Sequence, residues 1–328
     1  MSNKTDKVSP YAFIKNNNQY TQSRFEFGDK SGVIDCTLTT KTPLIIPDPE
    51  TKRIIHIKEK NKKIFEDKEH KEFDFYRIGG DCAIPGSSIR GCIRNIYEVV
   101  TDSCISSYNS EEFEKYIKNH CVDRDKLCDG CQLFGMIGNE SLGSRIRVTD
   151  AYIMDQNPEL NVVTLKTLMG PEATKCVKND DIKGRKFYWH HPNITVSDYS
   201  DNGKKRSTNT TVEVLGEDYK FGFKIFFDRI SKKELAKLLW CLTFGEKDNK
   251  KYFHRIGHGK PLGLGSVKID VNAIHIKESN YEKADYNRVS RSSLLKYALD
   301  EQLLIEERKR DILKISDFET QEGKKIAY

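Results

Sequence analysis

The alternation of strand-like and helix-like segments is what most restricts how this chain can fold. From Gly32 to Ile46, β-branched residues alternate in part and stop at Pro47 and Pro49, which reads as a strand. Phe73 to Ile84 reads as a strand pair turning at Gly79-Gly80. Pro85-Gly86-Ser87-Ser88 then opens a helix. Ser87 or Ser88 can cap it, and Ile89, Ile93, Ile96, Tyr97 and Val100 recur at helical spacing. Ser144 to Met154 alternates as a strand. Val212 to Phe227 reads as one long strand with Phe221, Phe223, Ile225 and Phe227 on a single face. Ser231 caps a helix with the stripe Leu235, Leu238, Leu239 and Leu242, and Ser266 to Ile276 is a further strand. The order is strand, helix, strand, given twice. That is the split βαβ, ferredoxin-like pattern of an α+β fold carrying insertions. No fixed-period repeat is visible.

The remaining segments hang on this frame. Residues 1–30 read as an arm, with Tyr11 to Ile14 as a short apolar patch. Pro47 to Lys71 is charged, with Lys58, Lys60, Lys62 and Lys63 close together, and reads as a solvated hairpin or mobile loop. A short helix fits Glu111 to His120. Residues 155–211 mix short apolar pieces with polar ones and read as a projecting insertion. Ser290 to Ile315 reads as a charged amphipathic helix or helix pair.

Composition narrows the class. The 328 residues are 32% charged and 10% aromatic, too aromatic for a disordered chain. No run approaches the ~18 apolar residues of a membrane span, and Met1 to Tyr20 lacks the apolar centre of a signal peptide. A cytoplasmic location with no membrane partner is expected. The net charge of +6 permits a polyanionic partner without requiring one. Nine cysteines in such a chain are expected to be reduced, and clustered ones are then more often metal ligands than disulfides.

Four motifs carry chemistry. Cys121, Cys128 and Cys131 are spaced for a metal knuckle, with Gly130 in the turn between the last two. A closed zinc site needs a fourth ligand. Cys104 is the first choice, His120 the second and His70 a remote third. The plainer reading is ordinary thiols, as for Cys36, Cys82, Cys92, Cys176 and Cys241. Ile84 to Gly91 places a Pro-Gly turn and two serines at a helix start. Free N–H groups there, with the hydroxyls, suit an anion, and Arg90 and Arg94 lie one turn apart; a plain capped helix with solvated arginines fits as well. Gly257 to Gly265 holds four glycines in nine residues, letting backbone approach a ligand closely, with His258 and Lys260 suited to a sugar–phosphate chain. It matches neither a nucleotidase phosphate loop nor a dinucleotide fingerprint. Lys183 to His191 interleaves basic and aromatic residues, as single-stranded nucleic acid favours; an edge strand with a buried Trp189 is the alternative.

With these residues in hand, the chain resembles the RAMP superfamily, the repeat-associated proteins that build CRISPR effector complexes, especially type III and its derivatives. Five blocks carry the resemblance in order: Ile84 to Gly91, Cys128 to Gly135 (CDGCQLFG), Ser144 to Ala151 (SRIRVTDA), Gly184 to His191 (GRKFYWHH) and His258 to Val267 (HGKPLGLGSV). The arm and the chain beyond about residue 280 are not covered. The resemblance implies an RRM-like palm over residues 31–154 and 212–280, a zinc-bearing insertion near 102–135, a thumb over 155–211 and a helical tail over 281–328. It implies a guide-RNA-binding backbone subunit that oligomerises along the guide and presents it to target RNA in antiviral defence, with other effector subunits as partners. Carried over by position, Ser87, Ser88, Arg90 and Arg94 grip guide phosphates, as do His258, Gly259, Lys260 and Gly263. Arg145, Arg147, Lys186, Trp189 and His190 lie in the matching blocks and join the RNA contacts, and Leu168 and Met169 mark the thumb tip. Asp74 sits nearest to the place of an aspartate that promotes target-RNA cleavage, with magnesium as a possible companion.

Two other classes compete. A stand-alone endoribonuclease trimming precursor guide RNA would use His190, His191, His254 or His258 as general acid and base. A zinc-stabilised protein-interaction module would bind no RNA, and its RNA affinity would lack the steep salt dependence that counterion release demands.

Overall fold

The structure, a computed structural model, describes residues 9–15, 22–61, 64–105, 120–168, 177–178, 181–246, 251–277 and 286–320. The helix expected over Glu111 to His120 falls outside these apart from His120, and so do Met169 and Cys176.

In chain order the first strands are β1 (Tyr11–Ile14), β2 (Lys30–Thr40), β3 (Arg53–Asn61), β4 (Ile64–Phe73), β5 (Arg77–Ile78) and β6 (Asp81–Ile84). Helices α1 (Gly86–Val100) and α2 (Asp129–Phe134) follow, then β7 (Ile146–Val148), β8 (Ala151–Ile153) and β9 (Leu160–Thr164). Next come β10 (Val177–Lys178), β11 (Asp181–Ile182), β12 (Arg185–Tyr188) and α3 (Val196–Tyr199). The second half holds β13 (Thr210–Leu215), β14 (Lys220–Ile230), α4 (Lys232–Thr243), β15 (His254–Arg255) and β16 (Ser266–Lys277). Strand β17 (Tyr286–Arg288) and helices α5 (Arg291–Asp300) and α6 (Glu306–Ser316) close the chain.

The main sheet runs β16-β2-β14-β8, with β7 also pairing β14, and all these pairings are antiparallel. With α1 between β2 and β7–β8 and α4 between β14 and β16, this is the ferredoxin-like strand order 4-1-3-2. The alternation in β14 does what period 2 requires: Phe221, Phe223, Ile225 and Phe227 are buried and their neighbours are not. The stripe of α1 (Ile89, Ile93, Ile96, Tyr97, Val100) and that of α4 complete one core. Ser231 and Glu234 form a reciprocal capping box at the start of α4. At α1 the expected serine cap is absent. Pro85 occupies the cap position, and Asp150 Oδ1 accepts the Gly86 N–H at 2.7 Å. A side chain at Gly86 would strike the Val148 carbonyl at 2.4 Å, so only glycine lets the helix start sit against the β7–β8 link.

The strand expected over Val212 to Phe227 is two strands. The chain turns at Gly216 to Tyr219, with Asp218 at φ +63°. The buried Thr40 staples that turn, donating to the Gly216 carbonyl and accepting from the Tyr219 N–H, both at 3.0 Å. β13 therefore leaves the main sheet and joins a second one, ordered β3-β4-β13-β9. Its β4–β13 pairing is parallel and unites the charged hairpin with the later insertion. A small core of Ile45, Val163, Leu165, Tyr199, Val212 and Leu264 lies behind it.

Two core histidines tie β12's continuation and β15 to the frame. His190 Nε2 donates to the Phe253 carbonyl at 3.1 Å while Nδ1 takes the Ser266 hydroxyl at 2.8 Å. His254 Nε2 donates to the Cys241 carbonyl at 2.9 Å. Burial pushes His190 well below the usual histidine range and His254 down to about 4. Both folded values lie under the unfolded value near 6.5, so on acidification the unfolded chain takes up these protons first. Stability from both sites is complete above pH ~6.5 and is lost as pH falls, at up to ~1.4 kcal/mol per pH unit for each histidine. Urea unfolding midpoints between about pH 7 and 5 will show this decline, and a flat profile would contradict it.

Candidate nucleic-acid cleft and metal centre

The metal centre is built by the chain on either side of the short helix α2. Cys128 is the N-cap residue of α2, and Cys131 lies in its first turn. Cys104 and Cys121, earlier in the chain, reach the same point, and the four sulfurs lie within 4.8 Å of one another, all buried. Cys104 Sγ is 3.5 Å from Cys131 Sγ and 3.7 Å from Cys128 Sγ. A tetrahedral zinc with Zn–S bonds of ~2.3 Å needs sulfurs ~3.8 Å apart. The set therefore fits a metal such as zinc. The thiols share protons: contact with Cys104 first brings Cys128 down to about 7, and contact with Cys104 first pushes Cys131 up. His120 is exposed, and His70 is spent elsewhere, on the Arg206 carbonyl and the Thr211 hydroxyl. Among the described residues this is the one cluster of three or more His, Cys, Asp or Glu able to hold a metal, so no carboxylate site for magnesium is found there.

A buried carboxylate connects this centre to a cleft. Glu98, on α1, receives Arg94 Nε at 2.6 Å and Arg185 Nη2 at 2.6 Å, and is 3% exposed. Arg185 Nη2 also donates to the Cys104 carbonyl at 2.7 Å. One residue of β12 thus joins α1 to the cysteine loop.

The cleft has a volume of about 890 Å³. One wall is the start of α1, with Ser87, Ser88, Gly91 and Arg94; facing it are Gly257, His258 and Lys260. Strand β12 supplies all four of its residues, Arg185 to Tyr188. Five lining side chains are cations (Arg94, Arg185, Lys186, Arg255 and Lys260), against the single carboxylate of Glu98, which makes the cleft electropositive. Ser87 is exposed, and neither serine hydroxyl has a partner among the described residues. The Ser88 N–H is used by the Pro85 carbonyl and the Gly86 N–H by Asp150, which leaves Ser87 as the open donor of the turn.

The glycine loop works differently from the expectation. Its amides are largely consumed inside the chain: His258 N–H bonds Ile45 O, Gly263 N–H bonds Lys260 O, and Gly265 N–H bonds Pro43 O. The glycines serve the turn itself. Gly257 has φ +81°, and a Cβ there would meet the Ile45 carbonyl at 2.4 Å. Gly259 and Gly263 are buried and shape the loop from within. What the loop offers is the His258 ring and the Lys260 ammonium, whose pKa burial lowers and which the Gly257 carbonyl holds at 2.5 Å. Arg255, which the sequence reading passed over, supports the loop by donating to the Gly263 carbonyl and the Ser266 hydroxyl at 2.8 Å each.

Several candidate contacts are corrected. Arg145 is buried against Glu234 and donates to the Gln132 carbonyl, so it braces α2 against α4. Arg90 turns toward α2, donating to the Phe134 carbonyl at 2.5 Å with its guanidinium 5.6 Å from the Phe134 ring. Arg147 is exposed on the open sheet face, 5.1 Å over Phe226, away from the cleft. Trp189 is a core residue, His190 uses both ring nitrogens in internal hydrogen bonds, and His254 is a buried ring bonded through Nε2 to the Cys241 carbonyl, with its Nδ1 unpartnered. Leu168 packs on the second core. Asp74 sits in a bidentate pair with Arg53 at 2.7 and 3.0 Å, and that pairing holds its carboxyl below the usual range.

A family model described as the RAMP superfamily matches residues 37–268, more than half of the chain. No curated protein matches it.

Two outcomes follow. Removing Glu98 strands two half-buried guanidiniums, so Glu98→Ala should lower unfolding free energy by about 3–5 kcal/mol in urea titrations. Elemental analysis should find one zinc per chain, lost in Cys128→Ser together with a drop in thermal midpoint; an unchanged melt would count against a metal-built insertion.

Proposed function

The chain belongs to the RAMP superfamily, whose members are CRISPR-associated and bind RNA, and from that premise we propose that it is a guide-RNA-binding backbone subunit of a type III or type III-derived effector complex. Copies of it would assemble along one guide in the cytoplasm and present it to target RNA in antiviral defence, beside other effector subunits. The observation that supports this reading most is the meeting of the α1 start and the Lys260 loop across one electropositive cleft. Ser87 offers an N–H and a hydroxyl, Ser88 a second hydroxyl, and Lys260 and Lys186 offer charge. This set recognises a ribose–phosphate chain without reading bases, as a holder of any guide must. Zinc at the four cysteines would hold the Cys104 loop, and through Arg185 and Glu98 it would keep the α1 start in place.

The guide-trimming alternative loses support because two of its four histidines are interior groups. For target cleavage, Asp74 would have to leave Arg53. We therefore assign this chain binding rather than cutting.

Fluorescence anisotropy with a labelled single-stranded RNA tests the cleft. Ser87→Asp should weaken binding at least tenfold by placing a carboxylate against phosphate. Lys260→Ala should lower the slope of log affinity against log salt by about 0.7, one phosphate contact's worth for a single strand. Affinity untouched by both changes would reject the cleft as the RNA site. In the assembled complex, Asp74→Ala should leave target cleavage unchanged.

A further inference from the structure

The N-terminal strand β1 lies outside the matched region and outside every block that carries the family resemblance. It pairs antiparallel with β12, Tyr11 opposite Tyr188, Ala12 opposite Phe187, Phe13 opposite Lys186 and Ile14 opposite Arg185. The pleat divides these pairs into two faces. The inner face is settled by its contacts: Ile14 is buried, Ala12 and Phe187 pack on the main core, and Arg185 reaches Glu98. Tyr11, Phe13, Lys186 and Tyr188 are thereby left on the outer face, each half-buried. All four residues of β12 line the electropositive cleft, so the outer pair Lys186 and Tyr188 borders it, with Tyr11 and Phe13 beside them on the ribbon.

The rings are ordered. The Tyr11 and Tyr188 centroids lie 6.1 Å apart at 75°, and Tyr11 meets Phe13 edge-on at 5.6 Å. Lys186 Nζ sits 3.8 Å over the Tyr11 ring and 5.0 Å from that of Tyr188. Half-open rings beside an electropositive cleft, with an ammonium resting on them, form the basic-aromatic combination that holds unpaired bases. A cation over an exposed ring is worth only a few-fold in equilibrium, whereas a stacked base is worth about tenfold. A base can therefore displace Lys186 from the ring, and the freed ammonium then meets the adjoining phosphate.

We propose that the outer face of the β1–β12 ribbon is a stacking platform for a base of the RNA strand held in the cleft, with Tyr11 and Tyr188 as its rings and Lys186 as the paired cation. The inference rests on the RNA-binding reading above. It extends that reading to a segment which adds no charge of its own.

The test uses the full chain, a single-stranded RNA carrying 2-aminopurine at successive positions, and the variants Tyr11→Leu, Tyr188→Leu and Tyr11→Phe. Leucine keeps apolar packing, and matching melting curves verify the fold; the two leucine variants back each other up. The platform predicts affinity losses of about 5- to 100-fold in the leucine variants, with the salt slope unchanged, and near-wild-type binding in Tyr11→Phe. It also predicts 2-aminopurine quenching at one position that the leucine variants abolish. RNA bound by all variants with equal affinity and equal quenching would overturn the platform while leaving the cleft intact. Failure of the wild-type chain to bind RNA would overturn the cleft and the platform together.

Discussion

A carboxylate sealed from water with two guanidiniums organises the functional half of this protein. Glu98 costs free energy to bury, and only the simultaneous presence of Arg94 and Arg185 offsets that cost. The three residues come from one helix and from a strand nearly a hundred positions later. Satisfying Glu98 therefore sets where β12 runs, and β12 supplies one wall of the cleft. The same arginine caps the Cys104 carbonyl, so the cysteine loop is also tied to this pair. Charge in the cleft is accordingly of two kinds. Arg94, Arg185 and Arg255 are spent on structure, and Lys186 and Lys260, the latter held by only one carbonyl, keep donors for a ligand.

The main sheet and its two helices were legible because each segment repeats its apolar residues at the period of its own geometry. Phe221 to Phe227 alternate, and Ile89 to Val100 recur every three or four positions. The fourth cysteine of the cluster was legible for a different reason: in a reduced chain, few cysteines lie within reach of a CxxC knuckle, and Cys104 is the one that shortly precedes Cys121. What could not be read were features decided by distant partners. Gly216 and Asp218 are turn formers, but apolar runs on both sides mask the break, and the buried Thr40 that staples it lies on another strand. Arg145, in the bend before β7, and Arg147, inside it, are two residues apart, yet one is interior and one exposed, because Glu234 awaits only the first.

The aromatic-basic run shows the same limit. GRKFYWHH presents every residue type that a nucleic-acid surface uses, but a strand sends alternate residues to opposite sides. Lys186 and Tyr188 face out, while Arg185 and Phe187 face in. Trp189 and His190 continue inward past the strand's end; for Trp189 this is the edge-strand alternative weighed from the sequence, whereas nothing local marks the burial of His190. The glycine-rich loop misled in the opposite direction: glycine frequency suggested open amides, whereas the positive φ angles serve a turn whose amides are already satisfied.

The parallel pairing of β4 with β13 also bears on how the chain is made. Lys71 lies beside Thr210, so the β3–β4 hairpin leaves the ribosome long before its neighbour exists. Through that interval it shows a bare edge, the kind of template on which nascent chains stick together. Lys58, Glu59, Lys60, Glu66, Asp67, Lys68 and Glu69 crowd both arms of this hairpin. The stretch that β13 later covers runs from Lys71 to Phe73, and the charges of Lys71 and Glu72 on it, continued by mixed charges along the hairpin, keep the waiting edge wet and deter a second hairpin from docking. Charges that pair on the surface of the finished molecule, as Glu66 does with Lys68, thus also safeguard its synthesis.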